Sequence, residues 1–353
     1  MIRNLVFIAV LMLNFLPAIG QKQAGASRFL EPRDFGRYLT SDYYSPATRL
    51  QLGFCSNGAD FNNNPVRTSP IILVEEITLG TDINLATGTV KVGKGQFRYA
   101  VATSLSGLIW FDFLNPLSSP ILNVDYRIGF PELYLRHDLK GGFFRNWMIR
   151  VALFQHESTH IGDELTLYRQ INQFPITRIN ISYESGEASL TLNDPAGQVN
   201  PNHAFVLGAK WLYRNDPSDG YYTMQDWEGD RSRFVPSQRK VEGYLRYQYD
   251  GFGGFGRIGK FYPLVSAELR MRIRYGYPYY VVDAETGNGI AEVAGTEGYA
   301  PGLNLYAGWR KRDNPGQSAS PGIYLRYYTG SNPHGQFRNI PRYDFIGIAV
   351  VYD

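Results

Sequence analysis

The chain has 353 residues, 35 Lys+Arg against 32 Asp+Glu, and a formal net charge of +3. Basic residues are dispersed, so there is no patch of the kind a nucleic-acid backbone needs. Cys55 is the one cysteine, which excludes an intrachain disulfide framework.

At the N-terminus, Arg3 precedes an apolar run over 5–16, followed by Pro17, Ala18, Ile19 and Gly20. This predicts a secretory signal over residues 1–20, cut before Gln21. No later apolar run approaches the roughly 20 residues a spanning helix needs. An exported, helix-free membrane protein has one architecture left, the closed β-barrel. Residues 21–66 read as an N-terminal segment, mostly periplasmic or irregular, and 67–353 as the barrel.

The first strands are expected over 71–79, 96–103 and 108–114. Beyond them, alternation carries the assignment. Leu122, Val124, Tyr126, Ile128 and Phe130 oppose Asn123, Asp125 and Arg127. Trp147, Ile149, Val151 and Leu153 oppose Arg150, Ala152, Phe154 and His156. Residues 178–192 read as either one long strand or a hairpin, because the phase slips near 185–187. Phe205, Leu207, Ala209, Trp211 and Tyr213 oppose Lys210 and Arg214. The pattern is fullest in Val241–Asp250, and in 264–275, where Val265, Ala267, Leu269, Met271 and Ile273 oppose Ser266, Glu268, Arg270, Arg272 and Arg274. Strands near 303–310, 323–327 and 343–352 complete the set. A soluble sandwich also alternates, but these segments have the spanning length of about 9–11 residues, against about 5–6 for soluble strands. The reading is an all-β antiparallel transmembrane barrel of about 12 strands, within a range of 10–14.

The polar faces predict a lumen lined by Asp125, Arg127, Arg150, Arg178, Glu184, Lys210, Glu242, Arg246, Glu268, Arg270, Arg272, Arg274, Arg310 and Arg326. Both signs are present, which favours a filled interior over an open pore. Long loops after Arg214, Gly276 and Tyr328 belong outside, as does the loop after Ser158 if 178–192 is one strand, because such barrels keep their short turns in the periplasm. Gly251, Gly253 and Gly256 match a dinucleotide spacing, but no helix pattern follows, so they read as a turn. His137, His203 and His334 fall in turns or loops and carry no functional weight.

Residues 156–164, HESTHIGDE, hold the chemistry. His156, Ser158 and His160 share one face at strand spacing. Imidazole beside hydroxyl is the arrangement that activates a nucleophile. Asp163, Glu164 and His160 form a ligand set for a metal, with a divalent cation such as calcium as the one cofactor candidate. The structural alternative is a polar network capping the lumen at the outer rim. Continued from Arg150 and Ala152, the strand phase places His156 and Ser158 on the lumen side. That placement argues against an enzyme acting on bilayer lipid.

The stretch 156–164, followed by 178–183, resembles the hallmark of an uncharacterised group of bacterial envelope proteins, domain-of-unknown-function family 1207. Ser118-Ser119-Pro120, NVDYRIGFP over 123–131, Tyr328-Thr329-Gly330 and NPHGQF over 332–337 fit the same family. The resemblance implies an outer-membrane location and no established activity. The His-x-Ser pair also resembles outer-membrane phospholipase A and the lipid A deacylases, which place Asn after that Ser where this chain has Thr159. The expectation is an outer-membrane barrel contacting membrane lipid and no nucleic acid. A structural or small-solute role comes first. A lipid or ester hydrolase using Ser158 with His156, and a metal-binding barrel, are the alternatives.

Overall fold

The computed structural model describes residues 28–30, 35–56, 58–60, 64–69, 71–113, 121–162, 182–194, 202–214, 239–251, 256–274, 278–282, 289–294, 298–311, 320–335 and 343–352. Twelve antiparallel strands form the wall. They are β1 Thr48–Ser56, β2 Ile72–Val92, β3 Gly95–Asp112, β4 Ile121–Asp138, β5 Asn146–Ile161, β6 Ser182–Leu192, β7 Asn202–Arg214, β8 Val241–Asp250, β9 Phe261–Arg274, β10 Gly298–Lys311, β11 Pro321–Gly330 and β12 Tyr343–Tyr352. Each pairs with its sequence neighbours, and β12 pairs back onto β1, so the sheet closes. Closure gives nearly every strand two partners and lets a sheet exist in lipid. Arg28–Phe29 adds a short strand to the part of β2 that runs beyond β1. Two further hairpins, Gly58–Asp60 with Asn64–Ser69 and Pro278–Val282 with Gly289–Ala294, lie between β1 and β2 and between β9 and β10.

Side-chain pairs across the ladder decide which face is which. Leu245 of β8 and Leu269 of β9 are register partners, 50% and 46% exposed. The next pair, Arg246 and Glu268, is 4% and 2% exposed. Leu52, Leu207, Leu325 and Ile348 continue the exposed apolar band around the barrel. An apolar exterior wrapped around a charged interior is the transmembrane arrangement. The protein is therefore an outer-membrane β-barrel in contact with bilayer lipid. Connections 93–94, 139–145, 193–201, 251–260 and 312–320 share one end; 57–71, 113–120, 162–181, 215–240, 275–297 and 331–342 share the other. The second set is longer and marks the outer face.

Several strand placements differ from the sequence expectation. Thr48–Ser56 is a barrel strand, although it falls in the 21–66 segment. The pieces 96–103 and 108–114 belong to one strand, β3; Ser104, Ser106 and Gly107 between them read as a break, yet the ladder runs through. These two differences cancel in the strand count. Ile273 is 1% exposed rather than lipid-facing.

The lumen is filled. Asp125, Arg127, Arg150, Lys210, Glu242, Arg246, Glu268, Arg270, Arg272, Arg310 and Arg326 lie inside, as expected. Arg150 bonds Glu132 at 2.9 Å and Glu187 at 3.0 Å; Arg270 bonds Glu268 at 3.0 Å. Lys210 pairs with Glu157, and Arg246 with Glu268. Arg178 and the Arg274 side chain lie outside the described residues.

Two chain segments enter this interior. Residues 35–46 rise from the turn end and return to it. Gly36 N donates to Asp194, Thr40 N to Gln248 at 2.9 Å, and Ser41 N to Ser266 at 3.1 Å. Arg246 bonds Asp42 at 2.8 Å. The Tyr44 ring lies among Arg127, Lys210, Arg270 and Arg272, 4.7 to 5.8 Å from its centroid. Burial raises the Tyr44 phenol above its ordinary range, keeping it a neutral face for those cations. From the outer end, 331–335 folds inward, with Asn332 and His334 both 0% exposed. Tyr44 OH donates to Pro333 O at 3.4 Å, so the two plugs meet.

Candidate functional site at the outer end of strand β5

The site is set by a β-bulge. Ala152 pairs with Glu187 and Gln155 with Ser185, so Leu153 and Phe154 together oppose Gly186 alone. Phe130 and Pro131 of β4 similarly oppose Thr103 of β3. A bulge inserts one residue and reverses the facing of everything beyond it. The Leu153 carbonyl is satisfied by Tyr213 OH at 3.0 Å. Gly186 makes room for that reach, since a Cβ there would stand 2.1 Å from the Tyr213 hydroxyl.

Beyond the bulge, Gln155, Glu157 and Thr159 point inward and are buried. Gln155 bonds Glu187 at 2.9 Å, and Thr159 Oγ1 donates to Asn123 at 3.1 Å. His156, Ser158 and His160 therefore point outward, which corrects the lumen placement expected from Arg150 and Ala152. Ser158 Oγ lies 3.3 Å from His160 Nε2. His156 Nδ1 lies 3.8 Å from Glu184 Oε1, its register partner on β6. Glu184 was also expected in the lumen. The inward residues of β6 are Ser185, Glu187, Ser189 and Thr191, so Glu184 falls on the exterior beside His156.

The outward surroundings are mixed. Tyr126 is the register partner of Ser158, and its ring meets His160 edge-on at 5.8 Å. Below the polar group, Ile128, Phe130 and Phe154 are 47%, 51% and 37% exposed. Hydroxyl, two imidazoles and a carboxylate thus stand on the lipid side, above apolar side chains suited to acyl chains. Ionisable groups on a membrane face are costly to desolvate.

Of the expected metal ligands, His160 is placed, while Asp163 and Glu164 lie outside the described residues. Among the described residues no three His, Cys, Asp or Glu side chains converge on a metal position. Sequence reasoning gave no weight to His334, which is fully buried, stacks on Trp110 at 4.2 Å and lies 3.2 Å from Glu76 Oε1. The NPHGQF stretch was the available signal for it.

No protein-family model and no curated protein sequence matches the chain. Among solved structures the chain is similar to outer membrane phospholipase A from Escherichia coli. Identity is 13% over 88% of this chain and 98% of that one, with a TM-score of 0.39. It is also similar to the NanC porin, at 10% identity over 87% and 100% of the two chains and a TM-score of 0.36. The transport unit of the autotransporter AIDA-I from Escherichia coli is similar at 12% identity over 90% and 93%, with a TM-score of 0.35. These similarities are of outline only.

Proposed function

We propose that this outer-membrane barrel is an acyl-ester hydrolase working on lipid at the outer surface, with Ser158 as its nucleophile. Ser158 Oγ attacks the ester carbonyl carbon and its proton passes to His160 Nε2. The alcohol leaves carrying that proton. Water, deprotonated by the same imidazole, then releases the acid and restores the hydroxyl. His156, 3.8 Å from Glu184 on the other side of Ser158, supplies a second imidazole.

The observation that carries this reading is the bulge at 153–154, which turns Ser158 and His160 to the lipid side. A solute-passage role has less support, because the lumen is occupied from both ends. Export with removal of residues 1–20, and membership of domain-of-unknown-function family 1207 on 156–164 and 332–337, belong to the same proposal.

The test uses purified, folded protein with a p-nitrophenyl ester and with phospholipid vesicles, with and without calcium. Turnover is expected for the wild type. Ser158→Ala should lower kcat by about 10³-fold or more, and His160→Ala by about 10²–10⁴-fold. Unfolding free energy should change by no more than about 0.5 kcal/mol, as for exposed positions. A folded wild type without turnover, or an active Ser158→Ala, overturns the reading.

A further inference from the structure

Ser158 and His160 flank Thr159, which points into the lumen and is 4% exposed. Thr159 pairs in register with Asp125 of β4. The inward turn 331–335 is seated on this pair. Gly335 N donates to both Asp125 carboxylate oxygens at 3.2 Å. A Cβ on Gly335 would stand 2.5 Å from Thr159 Oγ1, 2.6 Å from Thr159 Cβ and 2.7 Å from Asp125 Oδ1. Only glycine allows the turn to lie this close.

The turn is anchored on its other sides. His334 lies flat on Trp110, with 5° between the rings, and reaches Glu76. Arg272 Nη1 donates to the Asn332 and Pro333 carbonyls at 3.1 and 2.9 Å. Tyr44, from the segment entering at the periplasmic end, donates to Pro333 O. The turn is thus held by the wall, by β9 and by the other plug.

We propose that the 331–335 turn positions the Ser158–His160 pair through the barrel wall, with Gly335 as the positioning residue acting on Thr159. This rests on the hydrolase reading of that pair. Successive strand residues share peptide planes, so a displaced Thr159 rotates the Cα–Cβ directions of Ser158 and His160. At 3.3 Å their hydrogen bond is already long, and a small rotation breaks it. The state of the lumen plug is thereby expressed at the outer surface.

The test compares Gly335→Ala, Thr159→Gly and the double variant, each accepted as folded by heat-modifiable gel mobility. With the p-nitrophenyl ester, Gly335→Ala should lower kcat by about 10- to 100-fold, as a misplaced nucleophile does, with KM little changed. The double variant should return to the level of Thr159→Gly alone, because the obstructing Cβ is gone. A second readout does not need turnover. With Ser158→Cys in a Cys55→Ser background, the pH dependence of iodoacetamide alkylation reports thiol–imidazole coupling. Gly335→Ala should move its midpoint upward toward that of a free cysteine, and Thr159→Gly should move it back. If Gly335→Ala does not fold, His334→Ala loosens the same turn and should shift the midpoint in the same direction. An alkylation profile indifferent to these changes overturns the positioning role. A profile that follows them in a protein without esterase turnover keeps the positioning role and removes the hydrolase reading alone.

Discussion

Removing residues 21–46 is expected to turn a non-conducting barrel into a pore. Apart from the short Arg28–Phe29 pairing on β2, the closed ladder does not depend on this segment, because β1 begins at Thr48 and pairs with β12 and β2 by backbone hydrogen bonds. The interior does depend on it. Thr40, Ser41, Asp42, Tyr43 and Ser45 are buried in the lumen, and Arg310 and Arg246 donate to Thr40 Oγ1 and Asp42. Without the segment those cations face water, and the outer turn loses Tyr44. Both charge signs then line the passage, so it should discriminate weakly between anions and cations. Single-channel recording in planar bilayers checks this. Steady conductance is expected from the truncated chain and none from the full chain. An equally silent truncated barrel would mean that side chains of the wall close the lumen by themselves.

Arg326→Met is expected to cost about 3–5 kcal/mol, the usual penalty for breaking a buried ion pair from one side. Arg326 and Glu76 are both 0% exposed and bonded to each other. Arg326 Nε also donates to Asn304 at 3.0 Å and Nη1 to Gln51 at 2.9 Å. Its guanidinium lies 4.7 Å from the Phe345 ring and 5.3 Å from that of Tyr43. Methionine fills much of the space but leaves the Glu76 charge to His334 and Tyr343. The double variant Arg326→Met, Glu76→Met should lose less than the single one, because no charge is then stranded. Guanidinium unfolding in detergent, followed by tryptophan fluorescence, reads both. A loss below about 1 kcal/mol for the single variant would show that water enters the lumen and solvates Glu76.

The barrel was legible because each strand records its environment twice. In β8 and β9 the lipid face and the charge-paired face alternate as far as Arg272, and Ile273 is the exception. β1 holds the same signal in TRLQLGFCS, with Leu50, Leu52 and Phe54 outside and Arg49, Gln51 and Cys55 inside. It was masked by the irregular sequence around it. The candidate site was legible in composition and illegible in facing. His156, Ser158 and His160 sit at strand spacing as read, but Leu153-Phe154 is indistinguishable in sequence from two ordinary alternating residues. The bulge is fixed by Gly186 and Tyr213, which come from β6 and β7. The 35–46 plug left no periodic trace, because its buried groups bond to wall residues far away in sequence, such as Asp194, Gln248 and Ser266.

The central claim is that Ser158 faces lipid while its neighbours face the lumen. Spin labels on single cysteines at 157, 158 and 159, in a Cys55→Ser background and reconstituted in vesicles, test it directly. Collision with oxygen, which dissolves in the bilayer, should dominate at 158. The labels at 157 and 159 should be shielded from oxygen, as the buried Glu157 and Thr159 positions require. The reverse pattern, with 157 and 159 exposed to lipid and 158 shielded, would place Ser158 in the lumen and contradict the account.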